Sequence, residues 1–178
     1  MPIPGQPTPT RPAPSPAPAA PVVAADAFEP VAGLLACVLP GLGHWFLGER
    51  WRAAAIAAGV LGLFLGGLLI GGIDVVDSRE DTIWFAGQAL VGPVAFGVDY
   101  VHQNHFKVHD GAKVRTANPG ETRDPQGNAA PARNGEPPPN SKSLGRMNEM
   151  GTLFCTIAGM LNLIVIIDAL LHAKRGVA

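Results

Sequence analysis

The chain has 178 residues, room for one domain of ordinary size, and 47% of them are apolar. Its formal net charge of −1 speaks against the overall basic field of a nucleic-acid-binding protein. Its two cysteines, Cys37 and Cys155, both fall in apolar stretches, which speaks against a disulfide framework.

Residues 1–30 contain ten prolines, several at every second position, as in Pro12, Pro14, Pro16 and Pro18. Proline fixes φ and removes a backbone donor, so this stretch cannot be helical and is expected to be a disordered, polyproline-rich tail. A secretory signal is not expected, because the lone basic residue, Arg11, is followed by no apolar run.

Beyond the tail, Asp, Glu, Lys and Arg are nearly missing from four windows and crowded between them. The first window, residues 31–48, carries no such charge and is interrupted by Pro40 and glycines. Glu49, Arg50 and Arg52 then form a short polar turn. The second window, residues 53–73, has 21 uncharged residues and reaches roughly 31 Å as a helix, the thickness of a hydrocarbon core. A soluble helix would keep a polar face, and this one has none. Ala55, Gly59, Gly62 and Gly66 share one face, where the absence of bulky side chains would let another backbone approach.

Asp74, Asp77, Arg79, Glu80 and Asp81 form an acidic connector. The third window, residues 82–98, contains Gln88 and Pro93 and spans about 26 Å, with Trp84 and Tyr100 as interfacial anchors. Residues 104–147 are polar and rich in Pro and Gly, and are expected to be a disordered insert. The fourth window, residues 150–167, carries Cys155, Gly159 and Asn162 on one face, expected to turn toward the other helices.

The fold expected is therefore all-α: an integral membrane bundle of about four transmembrane helices. The tail covers 1–28, the first three helices 29–103, the insert 104–147 and the last helix 148–174. Four full spans would put the 49–52 turn and the insert on one side, with nine Lys and Arg. Both tails and the acidic connector would share the other side, with four. The positive-inside rule then favours tails outside the cytoplasm, although Lys174 and Arg175 pull the other way, and a first window that re-enters would alter the start.

Pro40, Gly41, Gly43, His44 and Gly48, before a basic turn and a Gly-rich helix, make the pattern PGxGHxxxG. This pattern is similar to that of a bacterial membrane family of unknown function. Segments 87–93, 151–154 and 162–168 also resemble parts of it, so the likeness covers roughly 28–101 and 148–172. A looser similarity links the first helix to the two-transmembrane-domain proteins. The resemblance implies a helical membrane domain and no particular activity; the location expected for the chain is the bacterial inner membrane, as a multi-pass protein.

Ionisable groups inside spans are costly and pair or line wet cavities by default. His44 and Asp99 are expected on one membrane side, where a pair would be a structural clamp, a proton relay or a head-group site. His102, His105 and His109 follow at spacings that bring them near one face of a continued helix, a metal-binding alternative to solvated helix-end histidines. Asp168 is expected to meet water or Lys174. No HExxH, CxxC, phosphate loop or nucleophile–base arrangement is present, so no cofactor is expected and a non-enzymatic role leads. The partners expected are the lipid bilayer and other membrane helices or a second copy of the chain. The competing reading is an enzyme or small transporter built on His44, Asp99 and the following histidines.

Overall fold

The computed structural model describes residues 26–118, 120–133 and 146–173, and of residues 26, 27, 172 and 173 the backbone alone. The expected tail therefore lies outside the described residues up to residue 25. Two helices are long and apolar enough to cross a membrane, α3 (Arg50–Gly71) and α6 (Met147–Leu170). Only 22% and 39% of their apolar windows are buried, so these helices turn most of their hydrocarbon outward, unlike the core helices of a water-soluble domain.

The other two windows are broken. α1 (Pro30–Val38) begins on Pro30, whose missing N–H costs nothing at a helix start. It stops at Leu39, which is held extended (φ −149°, ψ 129°) by the ring of Pro40. Gly41 then takes φ +86°, a region open to glycine, and the chain reverses into α2 (Leu42–Phe46). The reversal is tight: a Cβ at position 43 would lie 2.3 Å from the Ala32 carbonyl oxygen. Both ends of this hairpin meet the C-terminal end of α6. Glu29 N–H donates to Leu170 O at 2.9 Å, β1 (Asp26–Phe28) pairs antiparallel with β6 (Leu171–Ala173), and His44 bonds Asp168.

The third window repeats this device from the opposite end. α4 (Thr82–Gln88) and a 3₁₀ turn (Ala89–Val91) run alongside α6: Thr156 donates to the Trp84 carbonyl, Gly159 lies against Gly87, and Asn162 reaches Leu90. Gly92, at φ +106°, turns the chain, and α5 (Pro93–Val101) returns to the acidic connector, where Asp99 bonds Ser78. The two hairpin tips touch. A Cβ on Gly92 would sit 2.6 Å from the Cys37 carbonyl oxygen, so only glycine fits there. Of the four full spans expected, two are through helices and two windows are folded half-length pairs.

α3 and α6 run antiparallel and approach through Gly67, Gly71 and Gly151. A Cβ on Gly151 would meet the Gly67 carbonyl oxygen at 2.6 Å and the Gly71 Cα at 2.7 Å. Cys155 Sγ donates to Phe64 O at 3.3 Å in the same seam. The glycine face expected to pack, Gly59, Gly62 and Gly66, has no described atom within 4 Å of a built Cβ at any of the three positions. The core instead gathers Val60 and Phe64 from α3, Val91 and Ala95 from the second hairpin, and Cys155 and Ala158 from α6.

The insert departs from the expected disorder. β2 (Val108–Asp110) pairs with β3 (Lys113–Arg115), and β4 (Glu121–Arg123) with β5 (Ala129–Pro131). Arg115 joins the two hairpins by a bidentate contact to Glu121 at 2.7 and 3.1 Å, and also bonds Asp110. Polar ladders and a planar ion pair replace the apolar periodicity that sequence reading looks for. Residues 134–145 lie outside the described residues.

This topology regroups the loops. The 49–52 turn sits at the α6 C-terminal end and the insert at the other, whereas four full spans would put them together. Cysteines introduced at Arg79 and Lys113 should be labelled from one side by an impermeant reagent, and a cysteine at Trp51 from the other, all in a Cys37→Ala background. Labelling of Arg79→Cys and Lys113→Cys from opposite sides would restore four full spans. A second test concerns the insert. The Arg115 guanidinium, then the Asn118 backbone N–H, hold the Glu121 carboxyl down to about 2 from 4.5. A depressed carboxylate stabilises the fold fully above the unfolded value, and that contribution is lost as pH falls from about 4.5 toward 2. In a side-chain NMR titration, Arg115→Gln should bring Glu121 back toward 4.5.

Candidate functional site

The ionisable residues that sequence reading groups together are divided between two polar centres at opposite ends of α3 and α6. At the α6 C-terminal end, α2 delivers His44 to full burial, and its Nε2 lies 2.7 Å from Asp168 Oδ2. Arg52, on the first turn of α3, donates to the same oxygen at 2.6 Å and to Glu49 at 3.1 Å. With Nε2–H donating to Asp168, a neutral ring leaves Nδ1 as a bare acceptor, and that atom is buried without a hydrogen-bond partner among the described residues. The partner of His44 is therefore Asp168, and the expected His44–Asp99 pair does not form. The hairpin turn at Pro40 and Gly41 explains this, because it sends His44 back toward the end from which the chain entered. An expected contact of Asp168 with Lys174 lies outside the described residues.

The second centre lies where α3 ends. A 3₁₀ turn (Ile73–Val75) brings Asp74 inward, and the next residues bury Asp77. α5 continues as a π-helical turn (His102–Phe106), in which Lys107 N–H reaches back to His102 O at 3.2 Å. That wide turn ends the helix with both His102 and Lys107 facing inward, and each is fully buried. Lys107 Nζ forms ion pairs with Asp77 Oδ2 and, at 2.9 Å, with Glu80 Oε1. His102 Nδ1 bonds the Val76 carbonyl at 3.1 Å, and its Nε2 lies 3.6 Å from Asp74 Oδ1, beyond hydrogen-bond length. Asn148, at the start of α6, donates to Asp74 Oδ2 at 3.4 Å and to Gly71 O at 3.3 Å.

Burial by itself would raise the Asp77 pKa. The Lys107 ammonium and the backbone N–H groups of Arg79 and Glu80 together outweigh it and hold this carboxyl below its ordinary value. Asp99 belongs to the edge of this centre, accepting from Ser78 N–H at 2.9 Å, Ser78 Oγ at 2.7 Å and Gln103 at 3.2 Å. It pins the connector to α5.

The three histidines expected along one face are separated. His105 is exposed on the π turn, and His109 lies in β2 against Gly127 O at 3.0 Å. The π turn shifts the helical register after His102, and the strand then takes His109 elsewhere. Among the described residues, Asp74, Asp77 and His102 are the set with imidazole and carboxylate atoms close enough to share an ion, all within 4.8 Å of one another. Sequence reading missed Asp74, Asp77 and Lys107 as site residues. The two aspartates stand three apart just after an apolar window, which is a weak signal; nothing around Lys107 distinguishes it from a solvated lysine.

Removing Lys107 leaves Asp77 buried beside Glu80 with no ammonium. Lys107→Met should cost about 3–5 kcal/mol of stability, measured by denaturant unfolding in detergent. The double variant Lys107→Met, Asp77→Leu should recover a large part of it. Equal losses in the single and double variants would mean that the pair contributes nothing specific.

No curated protein and no solved structure matches this chain. One family model, described as a family of unknown function (DUF6677), matches residues 31–176. That match takes in both hairpins, both long helices and every residue of the two polar centres, and the chain belongs to this family.

Proposed function

We propose that this is a multi-pass protein of the bacterial inner membrane that works without catalysis, as a scaffold or modulator joined to another membrane helix through the outer face of α3. The observation that carries the reading is the division of the α3 glycines into two sets. Gly67 and Gly71 are consumed by the contact with α6, whereas a Cβ at Gly59, Gly62 or Gly66 would meet no described atom within 4 Å. In a helix surrounded by lipid, glycine offers no apolar side chain of its own and lowers intrinsic helix propensity by about 1 kcal/mol relative to Ala. Its compensating use is close approach of a second backbone. Exposed Ala55, Ala58, Leu65 and Leu69 flank the same face, so a partner helix would find small residues at the centre and apolar ones beside them.

The partner tested first is a second copy of this chain. Gly62→Ile with Gly66→Ile has space for both side chains within the monomer, so the folded protein should be as stable as the parent. Cross-linking through a cysteine at Ala58 in native membranes should fall at least fivefold. Unchanged cross-linking, or none in the parent across a range of expression levels, would remove self-association through this face.

A second reading, a membrane-embedded polar site, is favoured by one observation, the fully buried His44, whose Nδ1 has no hydrogen-bond partner among the described residues, beside Arg52 and Asp168. In that reading, protons or anionic head groups are the chemistry such a cluster would meet.

A further inference from the structure

We propose that Asp74, Asp77 and His102 form a binding site for one divalent first-row transition ion of the zinc or manganese class. This proposal stands apart from the helix-packing role and concerns the opposite end of α3 from the 49–52 turn.

The tautomer of His102 is the first argument. Its Nδ1 sits 3.1 Å from the Val76 carbonyl, which has no proton to give, so Nδ1 is the donor. A neutral ring therefore points the lone pair of Nε2 inward. That atom is fully buried, has no hydrogen-bond partner among the described residues, and faces Asp74 Oδ1 at 3.6 Å. Two acceptors facing each other in a buried place repel unless a cation stands between them. A histidine whose far nitrogen is fixed by a backbone carbonyl is the usual arrangement of a metal-bound imidazole.

Charge is the second argument. Asp74, Asp77 and Glu80 bring three carboxylates to this place, and Lys107 supplies one ammonium, bound to Asp77 and Glu80. Such a grouping of carboxylates draws a cation toward this place. Asp77 Oδ1 already accepts from Arg79 N–H, Glu80 N–H and Gln103 Nε2, so the lone pair open to an ion is the second one of Oδ2, beside Lys107.

Ligand type is the third. One imidazole nitrogen and two carboxylate oxygens suit zinc, manganese or ferrous ions better than thiolate-seeking copper(I) or all-oxygen calcium. The three ligand atoms lie within 4.8 Å of one another. An ion with bonds of roughly 2.1 Å needs them about 3.4 Å apart in a tetrahedral site, a closure that carboxylate side-chain rotation can supply. A polar cleft lies next to it. Asn148, which bonds Asp74, also lines a cleft of about 240 Å³ with Asp81, Trp84, Glu149 and Thr152. The two further carboxylates of that cleft would draw a cation inward.

The test uses the full chain, purified in detergent through a histidine-free tag, stripped with chelator and titrated with Co²⁺ and with Zn²⁺. We expect one ion per chain, with visible cobalt bands displaced by zinc. His102→Gln and Asp74→Asn should each weaken binding at least tenfold, while His105→Ala and His109→Ala should leave it unchanged. Circular dichroism and gel filtration check that each variant is folded. If a site variant fails to fold, pulsed EPR of the Mn²⁺-loaded parent protein reads the same contact, as nitrogen coupling from one imidazole. Absence of cobalt bands and zinc heat in the parent protein, binding that survives His102→Gln, or manganese without imidazole coupling would each overturn the site and leave a proton-bridged His102–Asp74 latch.

Discussion

The architecture depends on one constraint: two helices end inside the molecule, and their last carbonyls need donors. α1 stops at Val38 and the 3₁₀ turn after α4 stops at Val91, both far from either end of α6. A helix end leaves about four carbonyl oxygens without intrahelical partners, and burying one unpaired costs on the order of kilocalories. Asn162, about two-thirds of the way along α6, answers both ends with a single amide. Its Nδ2 donates to Ala36 O at 3.2 Å and to Leu90 O at 2.9 Å. In a bilayer no water could take its place, which is why broken helices there are tolerated only inside protein. The glycines follow from this arrangement. Gly92 must lie against the Cys37 and Val38 carbonyls, and Gly159 against Gly87, for the tips to come within reach of one side chain.

Halting the helices midway also decides where the ionisable groups go. Each hairpin returns to the end from which it entered, so each carries its polar residues back to an outer layer. The first returns His44 to Arg52 and Asp168; the second returns Asp99, His102 and Lys107 to Asp74, Asp77 and Ser78. The middle of the molecule is left with Gln88 and Asn162, whose amides donate to backbone carbonyls. Charge is thereby kept at the two ends without any long helix having to carry it across.

The two long helices were legible in the sequence because length and lack of charge are properties of a single segment. Pro40 and Pro93 were legible as interruptions, yet a proline in an apolar window reads equally well as a kink in one span or as the tip of a re-entrant pair. Only the partners of the tip separate the two, and the main one, Asn162, lies 126 residues from Ala36. That ambiguity accounts for the misplaced pairing of His44 with Asp99. The glycine face failed for a different reason. A helix with glycines at 59, 62, 66, 67 and 71 offers more than one close-packing face, and pattern alone does not say which one meets α6. The structured part of the insert was hidden because an Arg115–Glu121 pair and polar strands resemble a solvated loop in composition.

The two polar centres differ in how they bind their charge, and this difference bears on what each can do. In the first, the Arg52 guanidinium bridges Glu49 and Asp168 near the surface, with Asp168 43% exposed at its side chain. Such a cluster ties the first hairpin to α6. In the second, Asp74 and Asp77 are buried and the balancing cation, Lys107, arrives from the π turn that follows α5, held by Arg123, which donates to its carbonyl. Desolvation makes that balance sensitive to whatever moves the turn, because a buried carboxylate without its cation is far more costly than an exposed one. Thr116 extends the linkage, its backbone N–H bonding Glu80 at 3.2 Å. The structured insert is therefore linked to the buried charges at two points, through Lys107, whose carbonyl Arg123 holds, and through Glu80, which Thr116 holds.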